Sequence, residues 1–161
     1  MAEVPTPWPE ALEACRAWIA QNLGVLVEGV HLEDDKGNAI GHIYYASSEQ
    51  ALIPFQVEAG AAVIYCEWIQ RRHQNKGYAR MLCIALTKQL DEQGYKGLLV
   101  AATDDEGYMH HAHFDQRGFQ TLDQAGGVRL MYHPLRAERI AVQPLDLRIP
   151  RTHRVPVEVV V

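Results

Sequence analysis

The stretch Ile64 to Leu90 constrains the fold most, because its two halves have different periods. Ile64, Tyr65, Cys66, Trp68 and Ile69 form a short β-branched, aromatic and apolar run that predicts a buried strand. From Ala79 the apolar residues Met81, Leu82, Ala85, Leu86 and Leu90 fall at helical spacing, with Arg80, Lys88 and Gln89 on the remaining surface. Between them lies Arg71-Arg72-His73-Gln74-Asn75-Lys76-Gly77-Tyr78, polar, cationic and broken by one glycine. A strand that turns through such a loop into a helix leaves unpaired backbone N–H groups at the helix start. With the positive end of the helix dipole and nearby Lys and Arg, they make an anion site, most naturally for a phosphate. The loop lacks the Gly-Lys-Ser/Thr ending of a Walker loop and two of the three glycines of a dinucleotide fingerprint.

The rest of the chain alternates strands and helices around this unit. Trp8–Leu23 is expected to be an amphipathic helix with Leu12, Cys15, Trp18, Ile19 and Leu23 on one stripe and Gly24 past its end. Gly29–Glu33 and Ala39–Tyr45 predict a hairpin across Asp34-Asp35-Lys36-Gly37-Asn38. Residues 46–60 predict a long irregular connection, and such loops are often either functional or simply inserted. Residues 61–70 are the central strand, and its helix runs to about Gln93, stopped by Gly94. Gly97–Thr103 predicts a second buried strand, Asp104–Arg117 a helix opened by acidic residues, and Phe119–Leu122 and Val128–His133 two short strands. This order predicts a mixed central sheet with helices on its faces. After Leu135 the character changes to proline and arginine. The terminal Val157-Glu158-Val159-Val160-Val161 predicts a strand that pairs with the body or a partner, or leads into a further domain.

Composition narrows the classes. With 161 residues, 48% hydrophobic and 22% charged, one domain of 1–135 with a tail of 136–161 is expected. A net charge of −5 argues against a dedicated nucleic-acid surface and leaves room for a cationic substrate. Cys15, Cys66 and Cys83 sit in apolar segments without paired spacing, as buried reduced thiols. No apolar run approaches membrane-spanning length and no signal-peptide architecture opens the chain, so a cytoplasmic location is expected.

A second motif lies about 40 residues beyond the loop: His111-Ala112-His113-Phe114-Asp115-Gln116-Arg117-Gly118-Phe119, a helix end with a glycine cap. Gln74-Asn75-Lys76-Gly77-Tyr78-Ala79 resembles the Gln/Arg-x-x-Gly-x-Gly/Ala signature of the GNAT acetyltransferases. The second motif resembles that family's Ala-x-x-Phe-Tyr-x-x-x-Gly-Phe ending, in the same order and on the same elements. The resemblance covers about Gly41–Leu135. Gly41–Tyr45, Tyr65–Trp68 and Lys96–Val100 are more closely similar to a subgroup whose GNAT domain precedes a YoaP-like C-terminal region.

The resemblance implies an α/β (α+β) GNAT fold, with a mixed, largely antiparallel sheet splayed between two parallel strands and flanked by helices. It implies acetyl-CoA as co-substrate, with no metal, and direct transfer to a primary amine. Ile69, Gln70 and Arg71 would meet pantetheine through the strand's end, Gln74–Arg80 (Gln74, Asn75, Lys76, Gly77, Tyr78, Ala79, Arg80) would line the pyrophosphate, and Phe114 would border the cofactor. Lys76 and Arg80 also fit a plain solvated face. Acetyl transfer needs a route for the ammonium proton and a donor near the departing thiolate. Glu67, a carboxylate inside an apolar strand, is the candidate base, directly or through a water it positions; otherwise it pairs with a basic residue or points to solvent. Asp104 and Glu106 fit helix capping better than catalysis. The family's tyrosine position holds Phe114, which cannot donate a proton, so Tyr108, His110 or His113 on the same expected helix, or water, would have to serve. His110 and His113 alone make a thin metal set.

Two rivals follow from Phe114: a non-catalytic acyl-CoA-binding module, and a dimerisation or scaffold domain with a vestigial loop. A terminal strand exchange would also make a homodimer unsurprising. The acceptor has no code in the sequence. Antibiotic, polyamine, amino acid, peptide N-terminus and protein lysine all fit, and the acidic balance tilts toward a cationic small molecule.

Overall fold

The computed structural model describes residues 9–53 and 55–144. Helix α1 (Pro9–Asn22) opens on a proline, whose missing N–H costs nothing in the first turn, and Gly24 turns the chain beyond it at φ +80°. Strands β1 (Glu28–Glu33) and β2 (Ala39–Ser47) form the expected hairpin. The Asp34 carboxylate closes it by accepting from the Lys36 and Asn38 amides at 2.9 and 2.8 Å. Then come β3 (Phe55–Val57), β4 (Ala61–Ile69), a 3-10 turn (Arg71–His73), α2 (Tyr78–Glu92) and β5 (Gly97–Thr103). The chain continues with α3 (His111–Asp115), β6 (Gln120–Ala125), β7 (Val128–Pro134) and β8 (Val142–Pro144).

Six strands make one sheet in the order β1-β2-β4-β5-β7-β6, antiparallel throughout except for β4 beside β5. One face carries α2 and α3: Ile43, Ile64, Leu86, Leu98, Phe114 and Met131 are packed together there. The other face is closed at one end by a small second sheet in which β3 pairs with β8, putting Phe55 and Val142 over Val63, Leu99 and Tyr132.

Two expectations need correction. The helix expected over Asp104–Arg117 is confined to the short α3, His111–Asp115. Residues 104–110 instead double back: Thr103 donates its amide to the Met109 carbonyl at 2.9 Å, Asp105 accepts from the Gly107 amide at 2.7 Å, and Met109 sits at φ +47°. The acidic residues there serve a turn, because Asp side chains satisfy backbone donors as readily in a turn as in a helix start. Tyr108, His110 and His113 therefore do not share a helix. His110 is the N-cap of α3 and Tyr108 lies before it. Residues 46–60, expected to be irregular, contain β3, whose partner β8 falls after the composition change at Leu135. The strand expected over Val157–Val161, and Trp8 at the start of the expected first helix, lie outside the described residues.

Candidate functional site

The centre of interest is a single irregularity in β4. Tyr44 pairs with Cys66 and Tyr45 with Ile64, so Tyr65 is an extra residue opposite β2. Such a bulge bends the strand that carries it. The parallel pairing of β4 with β5 runs from Ala61↔Gly97 to Ile64↔Val100 and ends one residue before that bulge. From Cys66 to Ile69 the strand stays paired to β2 but has left β5, opening a wedge toward the C-terminal ends of the two strands.

At the wide end lies the loop into α2. Asn75 and Gly77 both adopt left-handed conformations, φ +60° and +82°. Alternation of this kind turns successive N–H groups into one concavity, an anion nest. Gly77 is also the N-cap of α2 and makes no side-chain cap bond, so the first amides of α2 stay available for a ligand. A Cβ built on Gly77 would meet no atom within 4 Å, and the cradle is open on that side. Arg71, Lys76 and Arg80 are exposed and form no ion pair among the described residues. Gln74 has a different duty: its side-chain amide donates to the Ile69 carbonyl at 3.1 Å, tying the loop to the strand end, and its backbone N–H donates to Arg71.

Glu67 projects from the splayed half of β4 and is held by Arg117, just past α3. The two guanidinium nitrogens reach its two oxygens at 2.5 and 2.8 Å, with the Arg117 and Glu67 side chains 13% and 11% exposed. The ion-pair alternative for Glu67 is the geometry found, and both carboxylate oxygens are engaged. Arg117 also lies over the Phe114 ring, 5.3 Å from its centroid, and Phe114 is 1% exposed. Hydrogen bonding and charge from Glu67 outweigh burial and hold the Arg117 guanidinium above its ordinary range.

Tyr108 comes into the wedge from the turn before α3. Its hydroxyl donates to the Tyr65 carbonyl at 3.4 Å, and its own carbonyl accepts from the Thr103 hydroxyl. Tyr65 is gripped from the other side as well, its ring tilted against Trp18 of α1 at 5.2 Å and its hydroxyl accepting from the Leu52 amide. The three histidine rings stay together, that of His110 lying 4.4 Å from His111 and 6.3 Å from His113 between centroids. The His110 imidazole accepts from the Ala112 amide, His111 pairs with Asp115 at 3.1 Å, and His113 is exposed. Asp104 is bound by Arg129 at 2.8 Å, and Glu106 is exposed.

Sequence reasoning missed a ladder on the sheet face opposite α2. His31, His42 and Trp68 are cross-strand neighbours on β1, β2 and β4, and the His42 ring stacks on Tyr44 at 4.2 Å and on Trp68 at 5.6 Å. The sequence signal within β2 was His42 and Tyr44 two residues apart, which puts both rings on one face of the strand. Burial, with a smaller effect of His31, brings the His42 imidazole down to about 4. Burial pushes the Cys66 thiol up to about 11 and raises Cys15 and Cys83, so none is an activated nucleophile. Cys83 is buried, whereas Cys15 and Cys66 are only partly so.

Comparison with known proteins bears on this arrangement. The model of the Acetyltransferase (GNAT) family matches residues 1–119. The chain belongs to that family. No curated protein matches the chain. Among solved structures, the GNAT family N-acetyltransferase YhbS from Escherichia coli in complex with CoA is 18% identical, with a TM-score of 0.57. That match covers 75% of this chain and 65% of YhbS, so the protein spans about two thirds of that relative's length. The PaiA N-acetyltransferase from Thermoplasma acidophilum in complex with coenzyme A is 16% identical, with a TM-score of 0.55, covering 78% and 70% of the two chains. An acetyltransferase from Thermus thermophilus gives a TM-score of 0.61 at 17% identity, over 82% and 79%. At these identities the likeness is one of fold. The GNAT fold expected from the two motifs is thus the fold observed, splayed parallel pair included. Among the described residues no helix is long and apolar enough to cross a membrane.

Proposed function

We propose that this GNAT domain transfers an acetyl group from acetyl-CoA directly to a primary amine. The observation that carries this reading is the alignment of two features on one strand: β4 leaves β5 at the Tyr65 bulge, and the same strand ends at the open nest of Asn75 and Gly77. An extended amide-bearing arm would run along the splayed half of β4 to Ile69, Gln70 and Arg71 and exchange bonds already made there, since Gln74 holds the Ile69 and Arg71 carbonyls and Gln70 donates its amide to Ile40. The amides from Asn75 to Arg80 would hold the pyrophosphate, with Lys76 and Arg80 adding charge. Gln74 would act on the ligand indirectly, by fixing the loop to the Ile69 carbonyl. Holding thioester and amine together supplies much of the acceleration by itself. Glu67 remains the carboxylate of the splayed strand. It serves as a base only when Arg117 releases it; otherwise water in the wedge takes the ammonium proton.

A specific observation favours a second reading, an acyl-CoA-binding module without turnover: Phe114 is buried under Arg117, and Glu67 is engaged on both oxygens. Calorimetric titration with acetyl-CoA and CoA, followed by CoA release across a mixed amine panel, separates the two. Binding with amine-dependent release is the expected result. Binding without release supports the module, and absence of binding overturns both.

A further inference from the structure

The proposed transfer needs a partner for the sulfur as the carbon–sulfur bond breaks, and the residue the family motif would supply is a phenylalanine whose ring is buried on the α2 face. Another phenol reaches the wedge. Tyr108 enters from the turn between β5 and α3, and its hydroxyl reaches the carbonyl of the bulge residue Tyr65, the point at which β4 parts from β5. Its position is fixed at both ends: Thr103 binds its carbonyl, and its amide donates to Asp105. The hydroxyl therefore lies where an extended ligand running along β4 from the nest would reach the closed end of the wedge.

Resting on the acetyl-transfer reading, we infer that Tyr108 is the hydrogen-bond donor to the departing thiolate, and that it keeps its own proton throughout. The neutral amine attacks the thioester carbonyl, a carbon–nitrogen bond forms, and the carbon–sulfur bond breaks with its electron pair passing to sulfur. The Tyr108 hydroxyl turns from the Tyr65 carbonyl to that sulfur, the amine proton leaves to water, and the thiolate is protonated later from solvent. A thiol of ordinary pKa, near ~8.5, gives a thiolate too weakly basic to take a proton from a phenol, near ~10, so donation without transfer is the natural outcome. Burial, and to a smaller extent the neighbouring Cys66 and Cys15 thiols, raise the Tyr108 phenol further, against a small opposing effect of Arg16. These groups, on β4 and α1, are the titratable and charged neighbours that face it.

The test uses the full chain and an amine that passes the panel. Tyr108→Phe is expected to lower the single-turnover rate of acetyl transfer about 10- to 100-fold, as for loss of a hydrogen bond to a charged atom. Calorimetric affinity for acetyl-CoA and the unfolding temperature should stay close to the parent values. An acetyl thioester of an arylthiol analogue, whose thiolate leaves without help, is then compared in the same variant, so that any general damage cancels in the ratio. A deficit that shrinks with the aryl thioester supports the assignment. An undiminished rate with acetyl-CoA, or equal deficits with both thioesters, overturns it while leaving the acetyltransferase reading intact. Failure of the unmutated chain to release CoA with any amine would instead overturn that reading.

Discussion

Removing Arg117 should expose how much the splayed half of β4 depends on one ion pair. The Arg117 and Glu67 side chains are 13% and 11% exposed and joined by two short charge-assisted bonds, so deleting the guanidinium strands a carboxylate away from water. Breaking such a pair by removing one partner costs about 3–5 kcal/mol, whereas replacing both with apolar groups of similar size is often neutral or stabilising. Arg117→Met is therefore expected to cost about 3 kcal/mol, or roughly 6–12 °C in melting temperature for a chain of this size. Glu67→Leu alone should cost somewhat less, because the long arginine can swing toward solvent. The double variant should return to within about 1 kcal/mol of the parent, a coupling of more than ~2 kcal/mol. Urea unfolding with linear extrapolation measures all three, and an unchanged m-value shows that the same transition is being compared. An Arg117→Met cost below about 1 kcal/mol, or a double variant no better than the worse single one, would refute the reasoning. The same double variant decides the role of Glu67. Retained acetyl transfer makes the pair a brace, and a stable but inactive protein makes Glu67 the base.

Gly77→Glu should abolish acetyl-CoA binding in calorimetry, since it places a carboxylate at the nest; unchanged affinity in a folded variant would remove the loop from the site. His42 should make the fold acid-sensitive. Its imidazole stays neutral down to about 4 in the folded chain, while the unfolded chain takes up a proton near the ordinary value of about 6.5. Between these two pH values the unfolded state binds more protons, so stability falls as pH drops through that window. His42→Gln should flatten this slope in urea midpoints measured at successive pH values, and an identical slope would assign it elsewhere. A chain ending at Leu135 loses β8 and, with it, Ile140 and Val142 from the second core. Its stability should fall by about 2–4 kcal/mol, less than twice the ~1.5–3 kcal/mol of a fully buried aliphatic side chain because both are only partly buried. A truncation without effect would show that β8 merely rests on β3.

Where periodicity ran long, the sequence was enough. The apolar repeat of α2 and the runs of β4 and β5 located three central elements within a residue or two, and the turn chemistry of Asp34–Asn38 located the hairpin. The loop motif also found the nest, because Gly77 marks a backbone conformation that few other residues adopt cheaply. The bulge at Tyr65 left no such mark: its cause is a register offset against β2, and no residue within β4 spells that out. Arg117 as the partner of Glu67 was equally hidden, since the two meet only through tertiary packing across 50 positions. The acidic run Asp104–Glu106 misled for a physical reason. Side chains that cap a helix also stabilise a turn, and Gly107 with the Thr103–Met109 bond decides for the turn.

These hidden features share one consequence. A strand bent away from its neighbour loses hydrogen bonds and exposes backbone groups, and left alone it would tend to close again. Here the divergent half of β4 is held from three directions. Arg117 draws Glu67 toward α3 on one face, Trp18 and Leu52 fix the Tyr65 side chain on the other, and Tyr108 satisfies the Tyr65 carbonyl inside the gap. The wedge is therefore open before any ligand arrives, and a ligand entering it need not supply the free energy of parting the strands. Of the three restraints, only the Tyr108 hydrogen bond occupies the wedge itself. It is also the weakest by geometry, at 3.4 Å, and so the one an arriving ligand can exchange for a bond of its own. The restraints thereby separate by assay: Arg117→Met should move the unfolding transition, and Tyr108→Phe should move the rate.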